Sequence, residues 1–132
     1  MPSPSMPAVD AAPLLVACLC AQWCRTCGAY RDTLVAARDA MRRARPDAEL
    51  RFVWVDIEDE SELIGDLDVE DFPTLLLARA DRVLFFGPVM PHAQTLDRLV
   101  RSALDGSAAV TPQEVAPEIA ALPRRLAAHD AI

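Results

Sequence analysis

Pro13 is followed by an unbroken apolar run, LLVACLC, from Leu14 to Cys20, which ends at a polar turn. Nothing in it alternates with polar residues, so a strand made from it has no face left for water. A short Leu-rich run with a β-branched valine, bounded by turn signals, suits a strand buried on both sides. That constrains the chain strongly, because such a strand needs neighbours in a sheet and a layer of structure over each face.

The rest of the chain supplies those layers. Residues 1–13 (MPSPSMPAVDAAP) carry four prolines and read as a flexible or extended lead-in. Tyr30, Leu34, Ala37 and Met41 recur at spacings of three and four, with Arg31, Arg38 and Arg42 turned to water, which predicts a helix ending near Pro46. LRFVWVDI (50–57) reads as a second buried strand. EDESELIGDLDV (58–69) reads as a short acidic helix with Leu63, Ile64 and Leu67 inward. TLLLARADRVLFF (74–86) splits around Arg79 to Arg82 into two hairpin strands, closed by Gly87 and Pro88. Leu96, Leu99, Val100 and Leu104 mark a last amphipathic helix, stopped at Gly106 in the position that favours glycine.

These elements predict an α/β fold with a mixed central sheet of about four strands and helices on both faces. The first two strands are parallel through a right-handed crossover, and the last two form an antiparallel hairpin. The expected domain spans 14–106. Residues 107–132 form an Ala/Pro-rich tail in which Val115, Ile119, Leu122 and Leu126 are spaced to dock a short helix.

Charge narrows the partners. All 13 basic residues are arginine, 20 residues are acidic, and the net charge of -7 disfavours phosphate backbones and anionic lipid. Neither nucleic acid nor a membrane is expected as a partner. No Lys or Arg precedes Arg25, and the apolar run from Ala11 to Ala21 is too short to span a bilayer, so a cytoplasmic monomer is expected. Nine carboxylates and no base lie between Asp56 and Asp71, which reads as a solvated helix face. His92 and His129 receive no role.

All four cysteines, Cys18, Cys20, Cys24 and Cys27, fall in one short stretch. In a reducing compartment such clusters are more often catalytic or metal-binding than structural. Cys24 and Cys27 form a C-x-x-C unit at the start of a helix, where the two sulfurs lie within disulfide reach. Backbone N–H groups and the helix dipole at that end favour a thiolate at Cys24, and Arg25 adds a positive charge beside it. Cys27, one turn in, is more buried, so Cys24 attacks and Cys27 resolves. Cys18 and Cys20 lie on the same side of a strand and read as core residues, with a second disulfide or thiol relay as the alternative if Cys18 lies behind Cys27. The four thiolates also match a tetrahedral zinc site in number. A strand axis and a helix cap do not converge easily on one point, however, so neither a metal nor a cofactor is expected.

WCRTC after an apolar strand, with DFPT at the head of a later strand, resembles the thioredoxin family over roughly residues 14–105. Trp23 matches the tryptophan before the first cysteine, Cys24 and Cys27 the redox pair, and Pro73 the family's cis-proline. The resemblance implies a thioredoxin-like fold with a shortened N-terminal strand and helix. It also implies substrate contact through Trp23, Arg25, Phe72, Pro73 and Thr74, with the backbone of Phe72 pairing with a substrate peptide. Two departures stand out. Arg25-Thr26 replaces the usual Gly-Pro, and the family's buried aspartate and its lysine partner fall on Cys18 and Trp54. The implied activity is thiol–disulfide oxidoreduction on protein disulfides, regenerated by a reductase or other redox partner. A binding or chaperone module with weak redox activity is the alternative, beside the four-cysteine metal site.

Overall fold

The computed structural model describes residues 13–21, 24–64, 69, 72–80, 82–105, 114–129 and 131–132. The chain runs through β1 (Leu14–Cys20), α1 (Arg25–Ala44), β2 (Leu50–Asp56), α2 (Ser61–Ile64), β3 (Thr74–Arg79), β4 (Arg82–Pro88) and α3 (Ala93–Asp105). Two single-turn helices follow, α4 (Pro117–Ala120) and α5 (Leu122–Arg125). Among the described residues the strands form one sheet in the order β2-β1-β3-β4. β1 runs parallel to β2 and antiparallel to β3, which continues antiparallel into β4. This is the mixed sheet expected from the order of elements.

β1 is buried along its whole length, and its alternation separates two cores. Leu14, Val16, Cys18 and Cys20 face one layer, built from Cys27, Tyr30, Leu34 and Met41 of α1 and from Leu96, Val100 and Ala103 of α3. Leu15, Ala17 and Leu19 face the other, with Val53, Val55, Leu76, Ala78 and Val83 from the neighbouring strands. The residues that cover this second layer are Ile64 of α2 and Leu122 and Leu126 of the tail.

The tail is held by polar contacts as well as by packing. Arg51, on the edge strand β2, donates from Nη1 to the carbonyl of Leu126 at 2.9 Å and from Nη2 to the carbonyl of His129. The amide of Ile132 donates to the carbonyl of Phe52 at 2.9 Å, pairing with the outer edge of the sheet. Nε2 of His129 meets Oε2 of Glu60 at the end of the β2 turn. The described residues 114–129 and 131–132 of the tail therefore close a face of the sheet that the central strand requires to be closed.

One local expectation changes. The acidic helix expected from residue 58 begins only at Ser61. Asp56 Oδ1 accepts the amides of Glu58 at 2.9 Å and Asp59 at 3.1 Å, so a side chain turns the chain before a helix starts. The hairpin turn places Ala80 at φ 52, a left-handed conformation that a residue with a Cβ adopts at a cost of roughly 1–2 kcal/mol. Leu67, Gly106 and the side chain of Leu63 lie outside the described residues.

Leu126 is 1% exposed on a segment only one turn long, so its anchoring role is testable. Leu126→Ala is expected to lower unfolding free energy by about 2–5 kcal/mol, as for other large-to-small core changes. Exposed Arg124→Ala is expected to change it by about 0.5 kcal/mol or less. Equilibrium urea denaturation of the two variants gives the comparison.

Candidate functional site

The parallel and antiparallel neighbours of β1 bring three loops to its C-terminal end. Cys20 is the last strand residue, paired in register with Asp56, and its carbonyl accepts the amide of Ile57 at 2.9 Å. Leu19 pairs with Thr74, so the next step of that ladder brings Pro73 toward the Cys20 end of β1. The third loop leads from Cys20 into α1.

Cys24 is the N-cap of α1, extended at φ -88 and ψ 119, with no side-chain capping bond and no acidic residue in the first turn. Its amide donates to the carbonyl of Ala21 at 3.0 Å, and its carbonyl accepts the amide of Gly28 at 3.3 Å, which closes the first turn. The Cys24 thiol is free and half-buried, packed against the core that contains Cys27. Arg25 and Thr26 beside it are exposed. Helical phase puts Cys27 on the same inward stripe as Tyr30, Leu34 and Met41.

There the structure departs from the expected pairing. Cys27 is joined by a disulfide to Cys20, with the two Cα atoms 5.7 Å apart, and not to Cys24. The separation lies in the ordinary range for a disulfide. The physical reason is that two periodicities meet. Even-numbered residues of β1 face α1, the third residue of α1 faces β1, and Cys20 and Cys27 are each only 1% exposed in the layer between. The reading of Cys20 as a plain packing residue is corrected by the same bond. One strand sulfur and one helix sulfur thus meet.

Cys18 lies deeper on the same face, its Sγ 3.7 Å from Cys20 Sγ. A disulfide sulfur carries no proton, so Cys18 S–H is the donor in that contact. Burial pushes the Cys18 thiol far above its ordinary value and holds it protonated. Tyr30 is raised too, first by burial and then by the proximity of Cys18. Its buried Oη has no hydrogen-bond partner among the described residues. Cys18 pairs in register with Trp54, and Arg31 of α1 places its guanidinium 5.4 Å from the centre of the Trp54 ring. A buried thiol and an indole thus stand where the resemblance would put an acid and a lysine.

On the β3 side the Phe72–Pro73 peptide bond is cis. Pro73 and Thr74 are buried, and Phe72 packs partly against the core that contains the disulfide. The Pro73 carbonyl accepts the amide of Val89 at 3.0 Å, which brings Met90, 63% exposed, next to this loop. Met90 went unread in the sequence because it follows a strand in a Pro-rich segment without periodicity. Trp23 lies outside the described residues. Among the described residues no three His, Cys, Asp or Glu side chains are grouped to hold a metal ion, and two of the four sulfurs are bonded to each other. No described helix is long and apolar enough to cross a membrane.

Two consequences for stability follow. Cys18 and Tyr30 both ionise more easily when unfolded than when folded, so their contribution is complete below pH about 9, the ordinary cysteine value, and is lost as pH rises above it. Stability is expected to fall by up to about 1.4 kcal/mol per pH unit for each group. Reversible urea unfolding between pH 8 and 10.5 is expected to show a shallower fall for Cys18→Ala. Tyr30→Phe keeps the ring and removes an unpartnered buried hydroxyl, so at pH 7 it is expected to leave stability unchanged or raise it by about 1 kcal/mol.

No sequence among curated proteins matches this chain. Solved structures with a similar fold include human ERp44, at TM-score 0.59 and 20% identity over 71% of this chain. This chain spans 26% of that one, about a quarter of its length. The germline-specific thioredoxin Deadhead of Drosophila melanogaster matches at TM-score 0.55 and 19% identity, covering 70% of this chain and 83% of its own. Mitochondrial thioredoxin 3 of Saccharomyces cerevisiae, in its oxidised form, matches at TM-score 0.54 and 20% identity, covering 71% and 82%. At these identities the likenesses speak to the fold. The Thioredoxin family model matches residues 8–99, which take in the strand, both halves of the cysteine cluster and the Pro73 loop, and this chain belongs to the thioredoxin family.

Proposed function

We propose that this chain is a thiol–disulfide oxidoreductase acting on disulfides of protein substrates, with Cys24 as the attacking sulfur and Cys27 as the resolving one. The observation that carries this reading is a free, half-buried Cys24 thiol at the N-terminus of α1, three residues before a buried cysteine already engaged in a disulfide. Unpaired amides at a helix start stabilise negative charge, and the thiolate is the form that attacks. The Cys24 thiolate displaces one sulfur of the substrate disulfide, which leaves as a thiolate and takes up a proton. The Cys27 thiolate then attacks Cys24 Sγ, and the second substrate sulfur leaves as a thiol. One substrate disulfide is reduced, and two protein cysteines are oxidised.

Contact with a protein substrate falls to the surface around Cys24. Exposed Arg25 and half-buried Phe72 are assigned there, the buried Pro73 and Thr74 contribute through the backbone of their loop, and Met90 adds an exposed apolar side chain beside it. A reductase or other dithiol partner returns the cysteines to thiols. One observation favours a second reading, a binding module with slow chemistry. Cys18 is held as a thiol by burial, so it does not accept the proton of Cys27.

Insulin reduction with dithiothreitol as the electron source separates the two. Wild type is expected to accelerate the reaction, and Cys24→Ser to lower the rate by ~100-fold or more, as loss of a nucleophile does. Cys27→Ser is expected to accumulate mixed disulfides through Cys24, detected by non-reducing electrophoresis and peptide mapping. Partner capture that survives Cys24→Ser, with no insulin reduction by wild type, supports the binding module and sinks the oxidoreductase.

A further inference from the structure

We propose that Cys20 is a third redox cysteine, which takes the disulfide over from Cys24–Cys27 into the core and returns Cys24 to a free thiol. The inference rests on the oxidoreductase reading and extends it to a residue outside the C-x-x-C unit. Three observations carry it. Cys27 is bonded to Cys20, so the resolving sulfur has a partner on the strand side. Cys24 is free and half-buried in the same state, so oxidation of the pair leaves the attacking thiol intact. Cys27 also sits one turn after Cys24 in a closed first helical turn, a spacing that brings C-x-x-C sulfurs within bonding reach. Cys27 therefore stands between two sulfurs, one near the surface and one in the core.

The added step is an exchange. In a chain oxidised at Cys24–Cys27, the Cys20 thiolate attacks Cys27 Sγ. The Cys20–Cys27 bond forms, the Cys24–Cys27 bond breaks, and Cys24 leaves as a thiolate. No electron enters or leaves, since one disulfide and one thiolate stand on each side, and the proton released by Cys20 is available to Cys24. Cys18 donates its S–H to Cys20 and so stabilises negative charge on that sulfur. Cys18 itself remains a free thiol 3.7 Å away, so the disulfide rests at Cys20. The consequence is a change of behaviour with redox state. With Cys27 reduced, a mixed disulfide at Cys24 is resolved and released. With Cys27 bonded to Cys20, a partner captured by Cys24 has no resolving thiol and stays attached.

Oxidised glutathione tests this on the full chain. The first equivalent is expected to produce Cys20–Cys27 in the wild type, and the next to leave one glutathione on Cys24 that persists. Acid quenching, alkylation and peptide mapping read both. Cys20→Ser, with Cys20→Val as the apolar variant should serine unfold the core, is expected to end at Cys24–Cys27 with no glutathione retained. Cys18→Ala is expected to reach the same end state as the wild type but more slowly, because it removes the S–H donor beside Cys20. A fully oxidised wild type linked Cys24–Cys27, with no glutathione and Cys20 free, overturns the relay, and continued insulin reduction then leaves the oxidoreductase reading intact. Glutathione retained on Cys24 in Cys20→Ser beside a free Cys27 also overturns it, because Cys27 would then not reach Cys24. A wild type that neither forms a disulfide nor reduces insulin overturns both.

Discussion

The full burial of β1 is the constraint on which the remaining structure depends. A strand with no wet face must be hydrogen-bonded on both edges and covered on both sides, and each part of the fold answers one of those needs. β2 and β3 take the edges. α1 and α3 take one face. The second face is covered by α2 and by the tail, whose Leu122 and Leu126 reach the same layer as Leu15, Ala17 and Leu19. Because the tail is short, packing of two leucines is reinforced by Arg51, which satisfies two of its carbonyls, and by the pairing of Ile132 with Phe52. The Leu126 carbonyl also accepts the amide of His129 at 3.0 Å, so the guanidinium reinforces a turn that the backbone has already closed.

The site follows from where that strand stops. At the end of a buried strand the backbone emerges from the core, so adjacent positions differ sharply in environment. Cys18 is sealed, Cys20 is sealed but bonded across to α1, and Cys24 is half-buried at the helix start. Four chemically identical side chains thus acquire different properties from burial and from backbone position. The Pro73 loop reaches the same end because β3 pairs antiparallel with β1, and Met90 reaches it through the Val89–Pro73 hydrogen bond.

Much of this was legible in the sequence. The apolar run, the stripe Tyr30-Leu34-Met41 and the split at Arg79 to Arg82 state the period of each element directly, and element order supplies the parallel and antiparallel pairings. The alternation of β1 also states that Cys18 and Cys20 share a face. It does not state that the inward stripe of α1 begins at Cys27 directly opposite Cys20, since that depends on how the helix sits over the strand. The Asp56 turn that delays α2 was hidden because a carboxylate at the head of an acidic run looks like one more charge in it. The Arg51 clamp was hidden for a related reason: its acceptors are backbone carbonyls, which every residue has.

The replacement of an acid and a lysine by Cys18 and Trp54 gives the cluster a different balance from a site with a proton relay. A buried carboxylate can accept the proton of a resolving thiol, whereas a thiol held protonated by burial cannot. What remains available to Cys27 in the core is another sulfur. Burial acts on that choice directly. A disulfide is neutral and nearly apolar, so a sealed layer favours the bonded form of Cys20 and Cys27 over charged sulfurs in the same place. The two arrangements contain the same bonds in number and kind, so a difference of only about 1.4 kcal/mol, equivalent to roughly 30 mV, populates one tenfold over the other. Position in the core, more than intrinsic sulfur chemistry, therefore decides where the disulfide rests.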